Sequence, residues 1–175
     1  MIPRSKIIPD HLRLLAGLLA APEDDSLSVL SELSNEHPWL REPIEELARV
    51  GLPYWQAEHT GLFVINYPKT PCPPFESAYR SGEMGGKAAE ELTTLYLRIG
   101  LKSEDVPSDY LGTILACAAY LLEGPESVDE ALWHELWEKH LASWVSRFAN
   151  DILGTENCLL LYRRLAEQLN TLVAG

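Results

Sequence analysis

The sequence predicts an all-α fold: a single-domain helical bundle over residues 1–175, with a proline-rich extended connector at about residues 66–86 between two helical blocks. Apolar residues recur at helical spacing through most of the chain, and its many leucines and alanines favour helix. Pro71, Pro73 and Pro74 stand within four residues of one another. Each proline lacks an amide donor and fixes φ, so this segment cannot continue a helix. A chain of 175 residues is long enough for one domain with a substantial core.

The block before the connector is expected to contain four helices. Asp10 is a candidate N-cap of the first, and Pro22 ends it. Gly51 is a plausible stop for the third, and Pro53 can open the fourth. Residues 62–67 could belong to that last helix or form a short extended segment. The expected ranges are 10–21, from 25 or 26 through 33, about 40–50, and from 53 towards 63.

The second block is also expected to be helical, after a flexible join at Gly82, Gly85 and Gly86. Its second helix is apolar nearly all round and should therefore be central. The segment from Ser127 to Glu130 matches a capping box, which would open an unusually long third helix that Gly154 closes. The expected ranges are 87–100, from 107 to the break at Gly124–Pro125, 127–152, and 158–173.

Charge and cysteine content narrow the class of protein. The net charge of −12 makes nucleic acid an improbable partner, because phosphate binding needs clustered Lys and Arg. Cys72, Cys117 and Cys158 form no C-x-x-C pair, so they support neither a zinc site nor a disulfide framework. Charged residues interrupt the apolar run near the N-terminus, which argues against a signal peptide. The longest uncharged run, Tyr110 to Leu122, is too short to span a bilayer. The expected location is cytoplasmic.

Motifs for metal, nucleotide and nucleophilic chemistry are weak or absent. His134 and His140 are six residues apart, which places them about 240° apart around a helix and prevents shared metal binding. Residues 82–87 contain glycines and a lysine without Walker spacing, and no Gly-x-Ser-x-Gly elbow occurs. We therefore expect no metal, no cofactor and no catalysis. One enzymatic alternative stays open, a helical enzyme that uses Glu76 and His140 as an acid–base pair.

An aromatic row on the long predicted helix has two interpretations. Trp133, Trp137, Trp144 and Phe148 follow one another at intervals of four, seven and four residues. Such a row is typical of a helix face packed in the core. Alternatively, it could line a hydrophobic groove that accepts an amphipathic or extended peptide.

Three ordered segments carry a family resemblance. The first segment is Glu58-x-x-x-Leu62-Phe63 followed by Pro73-Pro74-Phe75-Glu76-Ser77-Ala78-Tyr79. The second is Val106-Pro107-Ser108-Asp109-Tyr110, and the third is His140-Leu141-x-x-Trp144-x-x-x-Phe148. In this order, the segments resemble the signature of the TorD/DmsD/NarJ-type chaperones of molybdoenzymes. The resemblance extends over almost the whole chain. Tyr110 departs from it, because the family usually has histidine after the aspartate.

The resemblance implies a function and a partner. Members of this family are cytoplasmic chaperones and not enzymes. They bind the twin-arginine signal peptide or the N-terminal segment of a molybdopterin oxidoreductase catalytic subunit and hold the apo-enzyme until its cofactor is inserted. A general helical adaptor without such a client is a further alternative. A twin-arginine peptide brings two guanidiniums and an apolar stretch, so its receptor needs carboxylates beside a hydrophobic groove.

We expect the residues of these motifs to form one peptide-binding site. Glu76 is the strongest candidate, because it would face a basic side chain of the peptide. Structural alternatives stay open for three of them: Glu76 as a helix cap, Ser77 as a hydrogen-bond partner of the backbone, and Tyr79 as a buried, hydrogen-bonded core residue. The expected site residues are Glu76, Ser77, Tyr79, Asp109, Tyr110, His140, Trp144 and Phe148.

Overall fold

The structure, a computed structural model, describes residues 4–80, 86–102, 105–124 and 130–175. In these ranges the regular structure is helical, and no β-strand forms beyond an isolated antiparallel bridge between Phe75 and Tyr110. The predicted all-α class is confirmed. The α-helices are α1 Pro9–Leu19, α2 Ser26–Leu33, α3 Arg41–Val50, α4 Leu52–His59, α5 Glu76–Arg80, α6 Lys87–Ile99, α7 Leu111–Glu123, α8 Glu130–His134, α9 Val145–Leu153 and α10 Leu160–Ala174.

Short helical segments of other types extend this set. The 3-10 turns are Arg4–Lys6 and Pro38–Leu40, and π-helical segments continue α4 over Thr60–Val64 and α8 over Glu135–Ala142. Over the described ranges, no helix combines the length and apolar character that a membrane span requires.

The core is built around α7, because most residues of this helix are apolar and buried. Leu111, Ile114, Leu115 and Ala118 have no exposed area. α1 packs along α7, while α9 packs along α10. One hydrophobic cluster includes residues from Ile7 to Leu172, which favours the predicted single domain.

Glycine ends two helices, at Gly51, where the sequence predicts the stop, and at Gly100. Gly51 follows α3 with φ at 87°, and Gly100 follows α6 with φ at 90°. Few residues other than glycine adopt such angles without strain. These stops are therefore encoded locally.

Several predicted helix starts are wrong by one to four residues. Pro9 occupies the first position of α1, where no amide is needed, so Asp10 lies inside the first turn and makes no capping hydrogen bond. This helix ends at Leu19, before the predicted end at residue 21. α7 begins at Leu111 and not at Pro107, because the turn before it pairs with the connector.

The predicted long helix over 127–152 is interrupted in its described part. Its proposed capping box begins at Ser127, which lies outside the described residues. Trp144 has φ −142° and ψ −22°, which separates the π-helical segment from α9. The Trp144 indole N–H donates to the carbonyl of His140 at 2.7 Å, a carbonyl that a continuing helix would pair with a backbone amide. Gly154 closes α9 as predicted.

The connector is shorter than the predicted residues 66–86. The chain stays helical through Val64 and becomes extended at Ile65, which answers the question left open for residues 62–67. Residues 76–80 of the predicted connector form α5 instead. Gly82 and Gly85 of the predicted flexible join lie outside the described residues, and Gly86 directly precedes α6.

Two carboxylates from the first block cap α10, which begins at Leu160 and not at the predicted residue 158. Glu58 accepts the Leu159 amide at 2.9 Å, and Glu46 accepts the Leu160 amide at 2.8 Å. Both amides belong to the helix N-terminus, where intrahelical acceptors are missing. Burial raises the pKa of the Glu58 carboxyl, partly offset by the Leu159 amide.

Candidate functional site

The connector is joined to the turn before α7 by backbone hydrogen bonds. The Leu111 amide donates to the carbonyl of Pro74 at 2.8 Å, and the Glu76 amide donates to the carbonyl of Asp109 at 3.1 Å. Pro74 can accept but cannot donate, and Leu111 is one of the first α7 residues, whose amides lack helical acceptors. The first two family motifs are therefore held against each other through their main chains.

Asp109 continues this link through its side chain. Its Oδ2 accepts the amide of Ser77 at 2.9 Å, at the start of α5. A carboxylate there satisfies a free amide and interacts favourably with the helix dipole. Asp109 has no exposed surface, and its other oxygen, Oδ1, has no hydrogen-bond partner in the described part of the chain.

Glu76 and His140 form a buried pair between the first and third motifs. Glu76 Oε2 lies 2.8 Å from His140 Nδ1, and neither residue has exposed surface. A carboxylate oxygen accepts, so Nδ1 carries the proton of this hydrogen bond. Arg80 approaches the other oxygen of Glu76 at 3.5 Å. Among the described residues, His140 Nε2 has no hydrogen-bond partner.

Three aromatic rings of the expected site pack against one another. The Tyr79 ring stacks on Trp144 with centroids 5.5 Å apart, and Phe148 meets Tyr79 edge-on at 6.1 Å. The Tyr79 hydroxyl donates to Asp151 Oδ2 at 2.9 Å, and the Arg147 guanidinium lies 6.0 Å from the Tyr79 ring centroid. Burial and the Asp151 carboxylate raise the pKa of Tyr79. This tyrosine therefore donates a hydrogen bond and stays neutral.

Tyr110, the departure from the family pattern, packs beside the connector. Its ring lies 5.7 Å from that of Phe75, and burial raises its pKa. A Cβ atom on Gly112 would overlap the Tyr110 ring. Gly112 thus provides the space in which Tyr110 lies, a relationship that the sequence pattern does not indicate.

The structure brings all eight expected residues into one group, which we call the connector cluster: Glu76, Ser77, Tyr79, Asp109, Tyr110, His140, Trp144 and Phe148. Only Tyr79 and Tyr110 in this group are partly exposed; the other six are buried. Glu76 and His140 are within hydrogen-bond reach, but the pair is closed to solvent. A substrate cannot reach it in this conformation, which removes the geometric basis for the enzymatic alternative.

The aromatic row packs in the core. Trp133 and Trp137 stack with centroids 5.2 Å apart, and each is about 1% exposed. Trp144 and Phe148 are equally buried. The row therefore does not line an open groove, and its core interpretation is confirmed.

Ion pairs that the sequence did not indicate surround the cluster. Glu91 on α6 accepts from Arg80 at 2.7 Å and from Lys139 at 3.1 Å. The hydrogen bond from Arg80 is the main cause that lowers the pKa of Glu91 to about 2, and Lys139 adds to it. These contacts tie α5 and the second π-helical segment to α6.

An open groove between α1 and α2 was also missed. Its volume is about 620 Å³, and none of the cluster residues lines it. The groove forms because the two amphipathic helices diverge, and helical periodicity in the sequence does not predict the angle between two helices. In the described residues, no group of three or more His, Cys, Asp or Glu side chains could hold a metal ion.

The fold is helical, and the Glu76–His140 pair is closed to solvent. This geometry indicates a protein of the binding class and not a catalyst. The family model described as the nitrate reductase delta subunit matches residues 26–150, and the chain belongs to this family. Its members are chaperones and not catalysts, so the chain is not an enzyme, as the sequence predicts.

One solved structure is similar to nearly the whole chain, beyond the residues that the family model matches. It is described as that of a candidate redox enzyme maturation protein from Archaeoglobus fulgidus. The two chains are 25% identical and superpose with a TM-score of 0.71, over 97% of this chain and 95% of that chain. No curated protein sequence gives a significant match.

Proposed function

We propose that this chain is a cytoplasmic maturation chaperone for a molybdopterin-dependent oxidoreductase. It binds an N-terminal segment of the catalytic subunit, either a twin-arginine leader or a segment that is not exported. It holds the apo-enzyme until the cofactor is inserted and then releases it for export or assembly. The family description favours a client of the nitrate reductase type, and the related Archaeoglobus protein is described as acting in redox enzyme maturation.

The closed Glu76–His140 pair is the observation that carries this proposal. A catalytic acid–base pair needs access to a substrate, whereas both side chains here are fully buried. The pair instead joins α5 to the second π-helical segment, with Glu76 Oε2 2.8 Å from His140 Nδ1. Buried polar groups that are hydrogen-bonded in this way specify one arrangement of the elements that carry them. A rigid frame is what a peptide receptor needs.

We assign two roles within the connector cluster. Tyr79 and Tyr110 reach the surface, so their rings contact the client segment. The six buried members, Glu76, Ser77, Asp109, His140, Trp144 and Phe148, hold those rings and the connector in position. A cation or an apolar side chain of the client can pack on an exposed tyrosine ring.

The charge of the chain supports a basic partner. A net charge of −12 attracts a peptide with two adjacent arginines and accelerates their encounter. Salt should weaken such binding, because screening reduces the attraction between exposed charges.

Calorimetry tests the proposal directly. The protein is titrated with a molybdoenzyme twin-arginine leader, with its Lys-Lys variant, and with the non-exported N-terminal segment of a nitrate reductase catalytic subunit. We expect one of the two native segments to bind and added salt to weaken it. Absence of binding to every molybdoenzyme segment would leave a general adaptor as the better description.

Surface tyrosine variants test the assigned roles. We expect Tyr79→Ala and Tyr110→Ala each to weaken binding about tenfold, the size of effect seen when a central aromatic contact is removed. Tyr120→Ala is the matched control, since Tyr120 is an exposed tyrosine on α7 outside the connector cluster. Equal affinities for all three variants would show that the client does not contact these rings.

A further inference from the structure

The groove between α1 and α2 exists because the two helices pack on different neighbours. α1 packs mainly on α7, and α2 packs on α3. The loop between them and Trp55 of α4 complete the walls of a groove of about 620 Å³. α2 has eight residues, so the two helices face each other over about 12 Å, or roughly two helical turns. We call this feature the α1–α2 groove.

The lining of the α1–α2 groove is mainly apolar. Leu14 and Leu18 of α1 face Leu30 and Val29 of α2. Val29 is 46% exposed, so one wall offers uncovered hydrophobic surface. Gly17 is exposed on α1, and a Cβ atom there would meet no other atom within 4 Å. The absent side chain at Gly17 therefore leaves part of the groove open.

The rim of the α1–α2 groove is acidic. Asp10, Glu23, Asp25 and Glu36 line it, and all four are exposed. Asp10 approaches Arg13 at 3.9 Å, but Arg13 is already held by both carboxylate oxygens of Glu123. The rim thus presents several carboxylates with little positive charge to balance them.

We propose that the α1–α2 groove binds the apolar face of an amphipathic helix of the client enzyme, with Lys or Arg residues flanking that face. An apolar floor between two helices suits a helix that presents residues i, i+3, i+4 and i+7. The acidic rim provides the charge complementarity for flanking cations. A second copy of this chain fits less well, because it also carries a net charge of −12 and would repel the rim.

The inference rests on the proposed function for the identity of the partner, whereas the chemistry of the groove can be tested without it. The probe is a synthetic peptide of about 14 residues, near the length at which isolated helices begin to form in water. It has leucines at i, i+3, i+4 and i+7 and lysines beside that face. A peptide with glutamates in place of the lysines is the charge control. We expect only the lysine peptide to bind, as measured by fluorescence anisotropy.

Two substitutions of Gly17 test whether the groove itself is occupied. Gly17→Phe places a ring in the open space and should weaken binding of the lysine peptide at least about tenfold. Gly17→Ala adds one methyl group and should change affinity by less than about twofold. Circular dichroism and urea unfolding verify that both variants are folded. Equal binding by wild type and Gly17→Phe overturns the inference.

Neutralising the rim tests the charge argument. The variant Glu23→Gln/Asp25→Asn/Glu36→Gln keeps the shape of the groove and removes three carboxylates. We expect about tenfold weaker binding of the lysine peptide and a flatter dependence of affinity on salt. An unchanged salt dependence contradicts the assigned role of the rim.

The remaining outcomes separate this inference from the proposed function. If molybdoenzyme segments bind wild type and Gly17→Phe equally well, the function stands and the groove is not the docking site. If the lysine peptide binds in the groove but no molybdoenzyme segment binds, the groove chemistry stands and the proposed client is wrong. If wild type dimerises in analytical ultracentrifugation and Gly17→Phe is monomeric, a second copy is the occupant and the inference fails.

Discussion

The connector cluster and the α1–α2 groove contrast in what they do with polar and apolar groups. In the connector cluster, ionisable side chains are buried and hydrogen-bonded, as at Glu76 and His140. In the α1–α2 groove, carboxylates are exposed around an apolar floor. The first arrangement builds a rigid frame and leaves little surface for a ligand, whereas the second leaves a surface uncovered. The sequence motifs predicted the residues of the connector cluster, whereas no sequence pattern predicted the α1–α2 groove.

The largest expected effect concerns the buried pair of the connector cluster. We predict that Glu76→Ala lowers the free energy of unfolding by about 3–5 kcal/mol, because it leaves His140 buried without its partner. Urea denaturation measures this loss. Glu76→Gln is the matched control: it keeps an acceptor oxygen for His140 Nδ1 and should lose less.

A double-mutant cycle decides whether the pair acts as a unit. The variant Glu76→Leu/His140→Leu should be less destabilised than the sum of its single variants, since no buried polar group is left unpaired. Additive effects would show that the two side chains are energetically independent, and the rigid-frame interpretation would then fail.

The next effect comes from the space beside Tyr110. Gly112→Ala should lower stability by about 1–2 kcal/mol, because the added methyl group overlaps the Tyr110 ring. Unfolding in urea measures it. Combining it with Tyr110→Ala removes the overlap, so the double variant should be more stable than the sum of both losses predicts. Full additivity would mean that the ring lies elsewhere.

A smaller effect depends on pH, at the ion pairs around the connector cluster. The pKa of Glu91 is lowered from its ordinary 4.5 to about 2 by Arg80 and Lys139. A lowered pKa in the folded state stabilises the protein above about pH 4.5, and this stabilisation disappears as the pH falls through about 2. Because solvent screens the partly exposed pair, we expect Glu91→Gln to cost about 1 kcal/mol at pH 7.

The stability difference between wild type and Glu91→Gln should shrink steadily between pH 4.5 and pH 2. Thermal unfolding at several pH values measures it, and Glu123→Gln serves as a control for a carboxylate that also pairs with an arginine but lies outside the cluster. A difference that stays constant over this range would show that Glu91 is not held by its cations.

The sequence predicted what is encoded locally and missed what depends on distant contacts. Helical periodicity, prolines and glycines such as Gly51 located most helices. The break at Trp144 was missed because no helix-breaking residue marks it; what the structure shows there is a hydrogen bond from the Trp144 indole to the His140 carbonyl. The cap of α10 was missed because Glu58 is distant in sequence from Leu159. The motifs identified residues that meet in space, but periodicity cannot show which of them are closed to solvent.

The smallest expected effect lies in the α1–α2 groove and has the opposite sign to that of Gly112→Ala. Gly17→Ala should raise the free energy of unfolding by about 0.5–1 kcal/mol, because alanine loses less backbone entropy than glycine in a helix. The same substitution on α7 is destabilising because a ring occupies the space there, whereas at Gly17 the space is empty. Urea unfolding of both variants under one condition measures the two signs together. A loss of stability at Gly17 would mean that neighbouring side chains already fill the floor of the groove, and a helix of the client would then have no room to dock.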